Sequence, residues 1–177
     1  MMDRSHLWRT VRLAGAVVMT GVLANVHAQT PSPAGQGSFE GSWSAVGRRR
    51  TLPTESTQPA AVVELSGAVV LTSGAGLSRG FRGEAIGFDD GRSVSAGSAV
   101  WTDAQGNRVF SVLRGTTLQT GRQISGIITG GTGPYTGIVG EYSMTWQYVA
   151  QGEDDVVQGR AADLKGSFSF RTAGGQP

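Results

Sequence analysis

The sequence contains no cysteine, and its only two histidines, His6 and His27, lie within the first 28 residues. That N-terminal stretch looks like a removable leader, so the mature chain would have neither a thiol nor an imidazole. This excludes disulfide bonds, Ser-His-Asp and Cys-His catalysis, and metal sites built from histidine or cysteine. We expect no metal and no cofactor. Any acid–base chemistry would fall to Asp, Glu, Tyr, Arg or the single lysine, Lys165.

Residues 1–28 are typical of a secretory signal peptide. A basic region with three arginines precedes the mainly apolar run 13–26, and the Val-His-Ala sequence at 26–28 has the small-x-small pattern of a cleavage site. The apolar run is short for a membrane span, and no stop-transfer pattern follows it. We predict export to the periplasm or the cell exterior with a mature chain starting at Gln29; the alternative is an uncleaved anchor.

No strong charge of either sign would remain after cleavage. The whole chain has 15 basic and 13 acidic residues, and the leader removes three arginines and one aspartate, which leaves twelve of each. Nucleic-acid binding depends on neutralising phosphates with a basic surface. A neutral chain without a basic stripe therefore predicts no nucleic-acid partner.

Helical periodicity is also missing after the leader, where glycines interrupt every apolar run of helical spacing. Short runs with period-two alternation and turn-forming sequences between them predict β-strands instead. We count eight such runs, at about 39–50, 61–72, 79–88, 94–103, 107–117, 122–130, 136–149 and 161–171. The segments 88–92 and 103–107 contain the Asp/Asn and Gly residues of hairpin turns.

Sequential strands with short links are typical of an up-and-down barrel. We therefore predict an all-β, eight-stranded antiparallel barrel as a single domain over residues 38–172. A disordered linker would precede it at 29–37 and a flexible tail would follow at 173–177.

The glycine-rich stretch 128–142, ITGGTGPYTGIVGEY, lacks the Lys-Ser/Thr of a phosphate-binding loop and continues into period-two alternation. It therefore predicts a hairpin. It also resembles the Gly-Gly-Thr-Gly-x-Tyr/Phe-x-Gly-x-x-Gly hairpin of the allene oxide cyclase and dirigent-protein barrels. Residues 82–110 are similar to the strand-turn-strand pattern that precedes this hairpin in dirigent proteins, and the Arg-rich, Lys-poor composition and leader look bacterial.

The resemblance covers about residues 80–149 and implies an eight-stranded barrel with a lumen open at one end, often assembled as a trimer. Plant members of the family cyclise an unsaturated epoxide or direct the coupling of phenolic radicals. The local motifs that carry the family's working acids have no match in this sequence. The resemblance therefore implies a fold and a ligand cavity and leaves the substrate open.

Two glutamates within predicted strands are the candidate catalytic groups. Glu64 shares a strand face with Val62 and Val70. If this face is the lumen, Glu64 is a buried carboxylate with a raised pKa; otherwise it faces solvent or a subunit contact. Glu84 shares a face with Arg82, which favours an ion pair over a site.

Aromatic and apolar residues on the seventh predicted strand are the candidate ligand contacts. Strand alternation places Tyr142, Met144 and Trp146 on one face, and a neighbouring strand contributes Trp101. These residues either line an apolar pocket or fill the core of a small barrel. Arg114 is either an anchor for an anionic group or a rim arginine.

The leading hypothesis is an exported, soluble barrel that binds a small apolar or amphipathic molecule in its lumen. A first alternative is a cyclase or isomerase of the same barrel type that uses a buried carboxylate. A second is an eight-stranded outer-membrane barrel, although short turns at both ends and a polar C-terminus favour a barrel that is not inserted in a membrane. We also expect a homo-oligomer, which the resemblance implies is a trimer.

Overall fold

The computed structural model describes residues 35–55, 58–91, 94–118, 121–152 and 154–171. The segments predicted as leader and tail, and the linker up to residue 34, lie outside these residues. Among the helical segments of the described ranges, none has the length and apolar character needed to cross a bilayer.

The described chain forms a closed eight-stranded barrel, which confirms the predicted fold class. Each strand pairs antiparallel with the next one in sequence, and the last pairs with the first. A single 3-10 turn, Gly133–Tyr135, interrupts the link between the sixth and seventh strands. The strands are β1 Gln36–Leu52, β2 Ala60–Ser73, β3 Gly80–Asp89, β4 Val94–Thr102, β5 Arg108–Thr117, β6 Arg122–Gly131, β7 Ile138–Gln151 and β8 Val156–Phe170.

Glycines occupy the hairpin positions that require a left-handed backbone. Gly91, Gly106 and Gly121 have φ values of 73°, 84° and 94°, a region that glycine reaches without steric cost. In the link between β7 and β8 the same role falls to Asp154 and Asp155, at φ 57° and 61°, because aspartate tolerates this conformation better than most residues. The short links keep successive strands adjacent, and the barrel closes.

The lumen is filled largely by apolar side chains from alternate residues of every strand. Aromatic rings form its centre: Trp101 packs against Tyr142, and Trp43 packs against Trp146, each with 4.9 Å between ring centroids. The ring of Tyr142 lies directly over Gly126 of β6, where a Cβ atom would overlap it. A glycine inside a strand therefore makes room for a large ring opposite it.

The glycine-rich hairpin closes one end of the lumen with Tyr135. Its hydroxyl donates to Asp103 Oδ2 at 3.1 Å and accepts from the Ser78 amide at 3.4 Å, so it joins three loops. Burial and the hydrogen bond to Asp103 raise the pKa of Tyr135 to about 12. Burial opposes ionisation of Asp103, but hydrogen bonds from Asn107, Tyr135 and other donors lower its pKa on balance.

Candidate functional site

A cavity of about 90 Å³ lies in the lumen at the end opposite Tyr135. It is bounded by the C-terminal ends of β3, β5 and β7 and the N-terminal ends of β4 and β6. Its inward-facing lining is mostly apolar and includes Val63, Ala85, Leu113, Ile124, Trp146 and Tyr148. A well-formed apolar cavity with a few polar groups is the usual form of a small-molecule site.

Three glycines create this cavity by leaving inward positions without side chains. Gly87 of β3 pairs with Gly97 of β4, and Gly115 of β5 pairs with Ser95 next to them. A Cβ on Gly97 would overlap the carbonyl oxygen of Ile86, so only glycine fits there. The barrel wall at this point is therefore little more than backbone.

A second space, of about 640 Å³, is larger but lies on the outside of the barrel. It is a groove over β6, β7, β8 and β1, and the outward-facing side chains along it include Ser125, Glu141, Ser143 and Lys165. Its lining is much more polar than that of the lumen cavity, and Ser125, Glu141 and Lys165 along it are exposed. We therefore take the smaller lumen cavity as the candidate site.

A buried polar cluster forms one side of the lumen cavity. Asp89 Oδ2 accepts a hydrogen bond from Arg122 Nη2, and Asp89 Oδ1 accepts from the Gly91 amide at 3.1 Å. Arg122 Nη1 donates to Ser95 Oγ at 2.5 Å. The side chains of Arg122 and Asp89 are only 14% and 7% exposed, so this is a buried ion pair in which each charge compensates the other.

Aromatic rings form the opposite side of the cavity. Trp146 meets Tyr148 edge to face, with 6.1 Å between centroids and 89° between planes. Among the described residues, the indole N–H groups of Trp43 and Trp146 have no hydrogen-bond partner, and each nitrogen exposes less than 1 Å². A molecule in the cavity would therefore contact the ring of Trp146 and not its N–H group.

The structure confirms that the predicted aromatic residues share the inward face. Trp101, Tyr142, Met144 and Trp146 are all buried, between 3% and 6% exposed. Of these, only Trp146 lines the lumen cavity. The hydroxyl of Tyr142 is 2.8 Å from Ser111 Oγ, and burial raises its pKa to about 12. The three deeper residues belong to the packed core, and a ligand contact remains a prediction for Trp146.

The structure overturns the lumen position considered for Glu64 and Glu84. Both side chains are exposed on the outside of the barrel, because the neighbouring positions Leu65 and Ala85 belong to the inward set. Glu84 forms an ion pair with Arg82 at 2.8 Å, with 48% and 67% of the two side chains exposed. Neither glutamate is a buried carboxylate.

Arg114 also lies outside the lumen. It is exposed on the outer face of β5, in register with Ala96 of β4 and Ser125 of β6. It borders the cavity only because its neighbours Leu113 and Gly115 form the wall. The positively charged group that faces into the lumen cavity is the guanidinium of Arg122.

Sequence reasoning missed Asp89 and Arg122 because Asp89 falls in the predicted turn 88–92 and Arg122 is the first residue of a predicted strand, where a charged side chain usually faces solvent. A signal was present: Asp89 continues the inward series of Ala85 and Gly87, and Arg122 shares its face with Ile124. Their pairing depends on strand order around the barrel, since 33 residues separate them in sequence.

No protein-family model matches the chain, and no curated protein matches it. Among solved structures it is similar to the pterocarpan synthase dirigent protein, with a TM-score of 0.47 and 10% sequence identity over 77% of this chain and 92% of that chain. Because this similarity is low, the assignment of the barrel rests on the strand pairing within this chain.

Proposed function

We propose that this protein binds a small amphipathic molecule in the lumen cavity, with its apolar part against Leu113, Ile124 and Trp146 and its polar atom at Arg122. The proposal rests on one observation. A cavity with an apolar lining and a buried polar cluster lies at one end of a barrel that is otherwise filled with side chains.

The size of the cavity indicates how much of the molecule it holds. Sites for drug-sized ligands have volumes of about 300–1,000 Å³, and this cavity has about 90 Å³. It therefore accepts one ring or a short chain, and the rest of the molecule would extend out of the open end.

Arg122 suits a polar atom of the ligand better than a second charge. An arginine has about five N–H donors, and Asp89 and Ser95 each accept one hydrogen bond from it. Donors therefore remain for an oxygen of the ligand. Because Asp89 already compensates the guanidinium, an anionic group would enter with no counter-charge of its own, which is costly in a buried site.

The enzyme alternative would have to use Asp89, the carboxylate in the cavity wall. Both of its oxygens already accept hydrogen bonds, from Gly91 and Arg122. This arrangement suits the positioning of Arg122 better than proton transfer, so binding is the function the geometry favours.

The distribution of side chains also favours binding in the lumen over the outer-membrane alternative. Transmembrane barrels have an apolar exterior band and a polar interior. Here the interior is largely apolar, and the outer face of the central strands carries the charged residues Glu64, Arg82, Glu84 and Arg114 among its exposed apolar ones. Export with cleavage before Gln29 is part of the proposal and rests on the leader sequence alone.

Filling the cavity tests the proposal. Ala85→Leu would place a larger side chain in the cavity, and Ala68→Leu adds the same atoms on the exposed face of β2. The probe is 2-naphthol, which has a flat apolar body and one hydroxyl, titrated by calorimetry. We expect binding to the natural protein and to Ala68→Leu, and at least tenfold weaker binding to Ala85→Leu.

Two results would contradict the proposal. One is the absence of any saturable heat with the natural protein. The other is equal affinity in the two variants, since binding would then be on the surface.

A further inference from the structure

The outer face of β2 to β5 has an apolar patch on the far side of the cavity wall, where Ile86, Phe88 and Ala96 border the lumen cavity and present their side chains outward. We call it the outer patch; it consists of Val62, Ile86, Phe88, Ala96, Ser98 and Val112. Ile86 and Phe88 are 57% and 54% exposed, and Val62 and Val112 are 49% and 45% exposed. Contacts between proteins form where exposed apolar side chains gather in one place.

The strand register makes the outer patch complementary to itself. Each bulky residue of β3 lies beside a small residue of β4 in the same row: Phe88 pairs with Ala96, and Ile86 pairs with Ser98. A two-fold axis between two facing copies, parallel to these strands, would turn β3 of one copy onto β4 of the other. Each bulky side chain would then meet a small one.

We propose that the outer patch is the contact surface of a symmetric dimer of this chain, in place of the trimer that the family resemblance implies. Ile86 packs against Ser98 of the partner subunit, and Phe88 packs against Ala96 of the partner subunit. A two-fold interface requires this reciprocal contact, in which the same surface serves both copies.

Charges at the two sides of the outer patch agree with this symmetry. Glu64 of β2 lies in the row of Ile86, and Arg114 of β5 lies in the adjacent row with Ala96. The same two-fold axis places β2 opposite β5, so Glu64 faces Arg114 of the partner subunit diagonally. Opposite charges meet at both edges of the contact, and rim charges of this kind select the partner and its register.

The area of the outer patch predicts a weak dimer. Strands lie about 4.8 Å apart and alternate residues about 6.7 Å apart, so the two rows of the outer patch over four strands cover about 260 Å². Stable interfaces bury about 800 Å² per partner. We therefore expect an association that depends on concentration in the micromolar range and above.

Sedimentation velocity over a hundredfold range of concentration tests the dimer. The natural protein should pass from monomer to dimer. Ile86→Lys should weaken association at least tenfold, because it places a charge in the centre of the contact. Val46→Lys makes the same change on the exposed face of β1, outside the outer patch, and should have no effect.

A charge exchange tests the symmetry separately. Glu64→Arg and Arg114→Glu should each weaken the dimer, and the double variant should recover it, since each edge would again join opposite charges. A protein that stays monomeric at all concentrations, a trimer of any kind, a dimer insensitive to Ile86→Lys, or a double variant without recovery would overturn the proposal.

Discussion

Replacing Asp89 by asparagine should destabilise the barrel strongly, because Arg122 would keep its charge in the cavity wall without a counter-ion. Removing one member of a buried ion pair costs about 3–5 kcal/mol. Arg122 and Asp89 are 14% and 7% exposed, so water replaces little of the lost interaction. The hydrogen bond from Arg122 to Ser95 would remain, so we expect the lower end of this range, about 3 kcal/mol.

A double variant separates the cost of an isolated charge from the value of the ion pair. Asp89→Asn with Arg122→Gln removes both charges, and it should be more stable than Asp89→Asn alone, within about 2 kcal/mol of the natural protein. Urea unfolding followed by tryptophan fluorescence gives the free energies. The single variant should also lower Tm by roughly 6–12 °C, at about 2–4 °C per kcal/mol for a chain of this size.

Glu84→Gln is the matched control, since it breaks the exposed ion pair with Arg82. It should change the free energy of unfolding by less than about 1 kcal/mol, as is usual for pairs in contact with solvent. Our reading of the polar cluster would be refuted if Asp89→Asn were as mild as this control. It would also be refuted if the double variant lost as much stability as the two single variants together.

Three further predictions concern the core, the closed end and the leader. Tyr142→Phe should lower the free energy of unfolding by about 1–3 kcal/mol, because the buried Ser111 hydroxyl loses its partner. It should also remove part of the stability loss between pH 10 and about 12, because Tyr142 ionises there in the unfolded chain but not in the fold, where its pKa is raised to about 12. Urea unfolding at a series of pH values measures both effects, and an unchanged loss of stability at alkaline pH would contradict the second. Asp103 has a lowered pKa in the fold, so its contribution to stability is present above the unfolded pKa of about 4 and is lost as the pH falls through the lower, folded pKa. Asp103→Asn should therefore make the loss of stability at acid pH less steep, and an equally steep loss in the variant would contradict this prediction. Intact-mass measurement of exported protein should give a chain beginning at Gln29, whereas a mass that includes residues 1–28 would contradict the predicted cleavage.

Local sequence patterns predicted the barrel because strands and turns carry their signals over a few residues. Period-two alternation located the strands, and the Asp-Gly and Asn-containing turns fixed their short links. The alternation of Tyr142 and Trp146 also gave their common inward face correctly. These features need no knowledge of distant contacts.

The position of Glu64 could not be predicted in the same way. In the β2 segment VVELSGAVVL both alternating sets contain valines and small residues, so periodicity separates two faces without showing which is inside. The outward set combines Glu64 with the exposed Val62 and Val70, so its composition does not mark it as the outer face. The inward position of Val63 and Leu65 becomes visible only when the barrel closes.

The polar cluster needed the three-dimensional structure for a different reason. Asp89 and Arg122 come from strands that are not neighbours in sequence, and they meet across the lumen end. Tyr135 is similar: its place in the glycine-rich hairpin predicted a turn, but its contacts with Asp103 and Ser78 depend on three loops meeting at one end.

Native mass spectrometry of protein purified from its own host shows whether the lumen cavity holds a small molecule. The natural protein and Ala68→Leu should carry the same small molecule, one per chain, and Ala85→Leu should carry none. A natural protein with no bound mass, or the same bound mass in Ala85→Leu, would contradict the claim.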